Sequence, residues 1–391
     1  MKPISFGGIK HGIQEYLAVI KVLISKWHTS GKENKKLERL ICDFTGSKFC
    51  TCVNSGSSAN LLALASLNLP KNSKVITSGC GFPATLNPIL HLGLQPVLVD
   101  YELPSYNIDI NQVIDAVKKE KDNVKAIIFA HTLGNPVDII PIKEICDKYN
   151  IHIIEDCCES LGSFYKKKHV GTYGKLGTFS FYPSHQINGM GMGGAVITDD
   201  EELIYKIRSM KTWGKISTLE TEKNIEKITN YSCFVDNIAY DEQFTYETCG
   251  WNMLMPDTAA AYACVQMNRL KGFTKKRIEN FNYLQNSLSN YPTTKMKVLD
   301  DSNPAYYGYV VTLQDGNRND LALHLLKNNI KSRPFFAGNI TRHKPFKHLY
   351  QNLPIADFLM KNSLFVGCWH GLNLKDMEYV SSKIKNYIDT N

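Results

Sequence analysis

Between residues 35 and 200, short apolar runs alternate with longer stretches whose apolar residues recur every three or four positions. The short runs "SKVITSG" (73–79), "QPVLVDY" (95–101), "VKAIIFAHT" (124–132), "IHIIEDC" (151–157), "GTFSFYP" (177–183) and "GGAVITDD" (193–200) predict strands. "GSSANLLALASLNL" (56–69), "NIDINQVIDAVKKE" and "PIKEICDKYN" predict helices among them. Such alternation predicts an α/β fold with a mostly parallel sheet covered by helices. Val and Ile on both faces of the strands fit a sheet buried on both sides.

The opening "MKPISFGGIKHGIQEYLAVIKVL" reads as an amphipathic helix, because charges interrupt it and no small-residue cleavage site follows. Residues 201–250 break the pattern. Their central "KISTLETEKNIEKITNYSCFVDNIAYDEQFTYETCG" is polar and weakly periodic, and reads as a long excursion that closes a site. From about 256, "DTAAAYACVQMNRLKGFTKKRIENFNYLQNSL" predicts one long helix. Strand-like "AYYGYVVTLQ" (305–314), helical "NDLALHLLKNNI" and then "SRPFF" predict a smaller α+β domain. The expected division is a large domain over 1–255 and a small one over 256–391, with the N-terminal helix packing on the small one.

Composition narrows the class. The 391 residues are 43% hydrophobic and 21% charged, which fits a globular enzyme and excludes a disordered or fibrous chain. No apolar run reaches the roughly 20 residues of a membrane helix. The net charge is +8, but the lysines sit in mixed runs such as "SGKENKKLER". A nucleic-acid binder shows a basic stripe with interleaved aromatics. The lysines read as solvated surface residues, and the modest positive field would also help attract an anionic small substrate. Eleven cysteines without a dense framework fit reduced thiols in a cytoplasmic protein. "CTC" at 50–52 has no second pair at ligand spacing, so no metal site is expected.

Three stretches carry candidate chemistry. In "CVNSGSSANLL" (52–62), Gly56 gives a tight turn and Ser57 and Ser58 open a helix. A helix start of this kind holds an anion, and serine there is equally a plain cap. In "IIEDCCES" (153–160), Asp156 follows a strand at the sheet edge where ligands of open α/β sheets gather. It could serve as a metal ligand, an acid or base, the partner of a ring nitrogen, or a turn residue. In "FYPSHQINGMGMGG" (181–194), His185 leaves a strand that contains Ser180 and precedes a glycine-rich patch. Phe82 ends another strand at the same edge and could stack on a planar ligand or join the core.

The order of "NSGSSANLL", "GFPATLNPIL", "HTLGNP", "IIEDCCESLGS", "GTFSFYPSHQ…GGAV" and "GWNMLMPDTAAA" resembles the DegT/DnrJ group of PLP-dependent sugar-nucleotide aminotransferases and dehydratases. The resemblance covers nearly the whole chain. It implies the type I aspartate-aminotransferase fold, with a mostly parallel seven-stranded sheet in the large domain. It implies that Asp156 holds the cofactor's ring nitrogen, that Gly56, Ser57, Ser58 and Ser180 serve its phosphate, and that Phe82 stacks on the ring. Asn252 would reach the phosphate from the other subunit of a homodimer whose active site lies at the interface. Most members carry a lysine where this chain has His185. The histidine is similar to that of the sugar 3-dehydratases, of the GDP-4-keto-6-deoxy-D-mannose type.

That branch implies pyridoxamine phosphate, regenerated by L-glutamate, with His185 as the base that takes a proton from the cofactor's C4′ carbon so that the C3 hydroxyl of a nucleotide-linked 4-keto-6-deoxy hexose or heptose is expelled. A base with pKa near neutrality suits the proton transfers. Alternatives are a CDP-linked 4-keto-6-deoxyglucose 3-dehydratase, a lysine-less aminotransferase, and an inactive PLP-fold binding protein. An iron–sulfur cluster needs four thiolates, and residues 201–255 offer only Cys233 and Cys249, so none is expected. Met192 replaces the family's usual acidic residue in the glycine patch, and one residue near Gly189 is inserted. Arg333 and His343 are candidates for clamping a carboxylate or pyrophosphate.

Overall fold

The computed structural model describes residues 3–216, 233–314 and 317–390. Helices α1 (Ile13–Ser25) and α2 (Lys32–Thr45) lead into the first strand, β1 (Phe49–Val53). The next elements are α3 (Gly56–Ser66), β2 (Lys74–Ser78), α4 (Pro83–His91), β3 (Gln95–Val99), α5 (Ile110–Glu120), β4 (Val124–Ala130) and α6 (Ile139–Lys148). Then come β5 (His152–Asp156), β6 (Leu176–Ser180), β7 (Gly194–Thr198) and α7 (Glu201–Met210).

These strands form one seven-stranded sheet in the order β1-β7-β6-β5-β4-β2-β3. Strand β7 runs antiparallel to both of its neighbours, and the other pairings are parallel. All strands but β7 therefore end at one edge. The period of two divides each strand between two cores. Along β4, Ala126 and Ile128 pack on one side with Leu62, Ile154 and Val196. Ile127 and Phe129 pack on the other with Ile153, Phe179 and Ile197.

Local signals place the helices. Ser55 caps α3 by accepting from the Ser58 amide, Asp109 caps α5 and Asp200 caps α7. The glycine at the start of α2 has no side chain to offer. Asp257, remote in sequence, takes the amides of Gly31 and Asn34 at 2.8 and 3.1 Å in its place.

We propose that a smaller domain begins with the long helix α8 (Asp257–Ser287), followed by β8 (Gly308–Thr312), α9 (Arg318–Lys327), β9 (Ser332–Pro334), α10 (Pro354–Asn362), β10 (Ser363–Gly367) and α11 (Leu374–Thr390). Strand β10 lies between β8 and β9 in an antiparallel sheet. Helix α1 packs against α8, where its buried Glu15 accepts from Gln266 and Arg269.

The excursion expected over 201–250 starts later than the sequence pattern suggests. Its first ten residues form α7, with Leu203, Ile204, Ile207 and Met210 buried at helical spacing behind the Asp200 cap. Residues 217–232 of that excursion lie outside the described residues. No helix among the described residues is long and apolar enough to cross a membrane.

Candidate active site

The ends of the parallel strands open onto a cavity of about 860 Å³. Gly56 and Ser57 reach it from α3, Phe82 from the β2–α4 turn, Asp156 from β5 and Ser180 from β6. The far wall comes from the small domain through Tyr307, Lys331 and Arg333, and from the N-terminal arm through Phe6. His185 lines the cavity as well, just beyond the end of β6.

Asp156 is almost fully buried, 5% exposed, and makes no ion pair among the described residues. Its Oδ2 accepts from Asn60 Nδ2 at 2.7 Å and Thr85 Oγ1 at 2.8 Å. Its Oδ1 accepts from the Cys158 amide at 3.1 Å. Neutral donors hold the carboxylate in place and leave its charge unmatched, which suits a protonated ring nitrogen in the cavity.

Gly56 allows the backbone to come close. A Cβ there would meet Ser180 Cβ at 2.7 Å and Cys158 Sγ at 2.8 Å. With the Ser58 amide capped by Ser55, the Gly56 and Ser57 amides at the head of α3 have no acceptor among the described residues. Together with the Ser180 hydroxyl, these amides form a cradle that could hold a phosphate at a helix N-terminus. Phe82 is 62% exposed at the start of α4 and offers its ring to the cavity.

His185 closes a turn after β6, its amide donating to Tyr182 O at 2.9 Å. Its ring lies 5.1 Å from that of Tyr307, with planes at 33°. Nδ1 is buried without a hydrogen-bond partner. Burial first, and the nearby Arg277 cation second, push the imidazole down to about 3. This differs from the near-neutral base expected from sequence: the residue is half-buried at the cavity wall with Nδ1 turned away from solvent, and the Arg277 cation acts on it.

Glu159 is a cavity residue that sequence reading misses, although it lies one turn beyond Asp156. Its Oε2 accepts from the Leu133 amide at 2.7 Å. Burial pushes the carboxyl up to about 8, against that hydrogen bond and helped by the neighbouring Asp156 charge. Tyr307 and Lys331 escape sequence reading as well, since they belong to the other domain. Lys331 is the lysine that lines the cavity among the described residues, and it sits on the far wall beside Arg333.

Three expected site residues lie apart. The Ser58 hydroxyl donates to Asn54 at 2.6 Å and meets Ser55, so it serves the helix cap and does not line the cavity. His343 is exposed and bonds to Ala337 O at 2.8 Å, so it does not join Arg333 in a clamp. Asn252 is exposed and bridges to Thr212, outside this chain's cavity. Met192 does line the cavity, beside Gly193.

One buried cluster, His131, Glu155 and Cys157, brings metal-ligating types together. Glu155 is already filled by His131 at 3.0 Å and by the amides of Gly171, Tyr173 and Gly174, which hold its carboxyl below the usual range despite burial. The cluster is a structural knot behind the sheet.

Comparison with known proteins agrees with this geometry. Lipopolysaccharide biosynthesis protein RfbH of Salmonella typhimurium is 35% identical over 399 residues, covering 97% of this chain and 90% of that one. GDP-4-keto-6-deoxy-D-mannose 3-dehydratase of Escherichia coli is 30% identical over 386 residues, covering 95% and 96%. A solved structure of an E. coli enzyme of that name, with bound hydrated PLP, superposes with a TM-score of 0.87 at 28% identity, over 98% of this chain and 100% of that one. The fold is therefore the PLP-dependent aminotransferase fold. PLP is the cofactor of these enzymes, and the cradle and Asp156 fit it. Residues 10–385 match the DegT/DnrJ/EryC1/StrS aminotransferase family, and the chain belongs to it as a PLP-dependent sugar-nucleotide enzyme.

Proposed function

We propose that the protein is a sugar-nucleotide C3 dehydratase acting on a 4-keto-6-deoxy hexose or heptose, with GDP as the nucleotide. The single observation behind this is His185. An imidazole with no hydrogen-bond partner on Nδ1 stands at the strand exit, where an amine would tether the cofactor. Imidazole cannot make that bond, yet it can accept a proton.

The cofactor, in its amine form, supplies the nitrogen that condenses with the C4 ketone and a ring that accepts electrons. Asp156 keeps the ring nitrogen protonated. Gly56, Ser57 and Ser180 hold the phosphate, so the ring is fixed at two ends. His185, neutral at physiological pH, takes a proton at the cofactor's C4′ carbon and returns it toward the departing C3 hydroxyl. Arg333 and Lys331 on the outer wall suit the pyrophosphate of the sugar nucleotide.

L-Glutamate restores the amine form and leaves as 2-oxoglutarate. The sugar loses one oxygen, 2-oxoglutarate gains one, and ammonia is released, so the overall reaction balances without another reductant. Two cysteines between 201 and 255 are too few for an iron–sulfur cluster, which favours this redox-neutral course. Free cysteines such as Cys50, Cys52, Cys157 and Cys368 suit a cytoplasmic enzyme. A homodimer with Asn252 lent to the neighbouring site completes the proposal.

The test is incubation with PLP, glutamate and GDP-4-keto-6-deoxymannose. A product lighter by one oxygen, with ammonia and 2-oxoglutarate in equal amounts, is expected. A 4-amino sugar would instead make it an aminotransferase. A CDP-linked substrate turned over in preference would correct the nucleotide. No turnover of any keto sugar would leave a binding protein.

A further inference from the structure

Arg277 lies midway along α8 and is fully buried. Among the described residues, its hydrogen bonds all go to main-chain carbonyls. Nη2 donates to His185 O at 2.8 Å and Ser184 O at 3.3 Å. Nη1 donates to Tyr306 O at 3.0 Å and Tyr307 O at 3.2 Å. Nε has no acceptor. A guanidinium buried on carbonyls alone is costly, and an aliphatic residue would fill the space more cheaply. Something other than packing explains its presence.

The two segments it joins are the ones that set the imidazole. One is the turn that carries His185. The other carries Tyr307, whose ring lies against the His185 ring and whose hydroxyl meets Ser184 Oγ at 2.8 Å. The planar fork spans both segments, which a point charge on a flexible stem cannot do equally well.

We infer that Arg277 is a positioning residue for His185: its fork locks the His185 turn to the Tyr306–Tyr307 segment and fixes a cation on the main chain that carries the imidazole. The inference rests on the reading of His185 as the base. It assigns to α8, outside the cavity, a share in setting that base. The imidazole is pushed down by burial and then by Arg277, so it starts the reaction without a proton. Asp156, Glu159, Lys331 and Arg333 line the same cavity, and Tyr182 and Tyr307 flank the ring. Arg277 is the charged group whose field lowers it.

The test uses cofactor-loaded enzyme and two variants, Arg277→Met and Arg277→Lys. Exchange of the imidazole C2 proton, followed peptide by peptide in a mass spectrometer, gives the His185 titration midpoint without any turnover. In Arg277→Met the midpoint should rise by about one unit, and kcat should fall at least ~10-fold with KM for the sugar nucleotide nearly unchanged. In Arg277→Lys the charge stays, so the midpoint should remain low while kcat still falls, because the fork is lost. A folded Arg277→Met with an unmoved midpoint overturns the inference. If Arg277→Met does not fold, Arg277→Lys decides: wild-type kcat there overturns it, and a low midpoint with reduced kcat supports it. A wild-type enzyme inert on every keto sugar, with the midpoint still shifted in Arg277→Met, would sink the dehydratase reading and leave the Arg277–His185 coupling intact.

Discussion

Asn60 Nδ2 donates to Asp156 Oδ2 at 2.7 Å, tying the first turns of α3 to the last residue of β5. On the proposed reading, the helix whose amides would hold the cofactor phosphate is thus fixed to the carboxylate that would meet the ring nitrogen. Thr85 Oγ1, from α4, takes the same oxygen at 2.8 Å. Bonds to a charged group contribute ~1.5–3 kcal/mol. Removing one by Thr85→Val, which keeps the side chain's volume, should raise the PLP dissociation constant about 10–100-fold. Asn60→Ala should do the same. Quenching of protein fluorescence by added PLP measures this, and unchanged affinity in both variants would remove the assignment of Asp156 as the ring's anchor.

His185→Asn should still bind the cofactor, since neither the cradle nor Asp156 changes. It should lose turnover by ~10²–10⁴, the usual contribution of a general base. His185→Lys should do something different in kind. It supplies an amine at the strand exit, so PLP should stay attached after borohydride reduction and denaturation, and peptide mass should locate it at position 185. Attachment at Lys331 in the unaltered enzyme would show that the far wall carries the tether.

Where the residues sit decides how much of the site is legible in the sequence. His185, Asp156, Ser180, Phe82, Gly56 and Ser57 come from separate motifs, yet they share one cavity because each follows or ends a strand at the same sheet edge. Strand period and strand ends are local signals, so that convergence is legible. Ser58 is not separable from Ser57, because a capping serine and a ligand-binding serine look alike in sequence. Tyr307, Lys331 and Arg277 approach the site from the other domain, and nothing local to them marks the approach. Helix α7 merges with the polar excursion in the sequence pattern because its apolar stripe spans only ten residues.

Glu159 should leave a mark on stability. Its carboxyl titrates near 8 in the folded chain against an ordinary value of 4.5. Between those values the folded state holds a proton that the unfolded state has released. Stability from this group is therefore complete below about 4.5 and lost as pH rises through about 8. Glu159→Gln carries no such proton. Its Tm relative to wild type should climb as pH is raised across that window, measured in ligand-free protein. A difference that stays flat with pH would mean the carboxyl is not held in its acid form. His185 should act in the opposite sense: its folded value is depressed to about 3, so its contribution is lost as pH falls from about 6.5.

Asn252 is exposed and lies outside its own chain's cavity, which is what a residue lent to a neighbour requires. If it serves the partner's phosphate cradle, His185→Asn and Asn252→Ala should each be weak alone but should complement each other. In a mixed dimer one site inherits both defects, and the other receives an intact His185 from one chain and an intact Asn252 from its partner. Unfolding and refolding the two variants together should then restore up to about a quarter of wild-type activity, since half of the dimers are mixed and half of their sites are whole. Refolding each variant separately should restore nothing. Sedimentation of the mixture checks that dimers form. Dimers that form without any recovery would confine Asn252 to its own subunit.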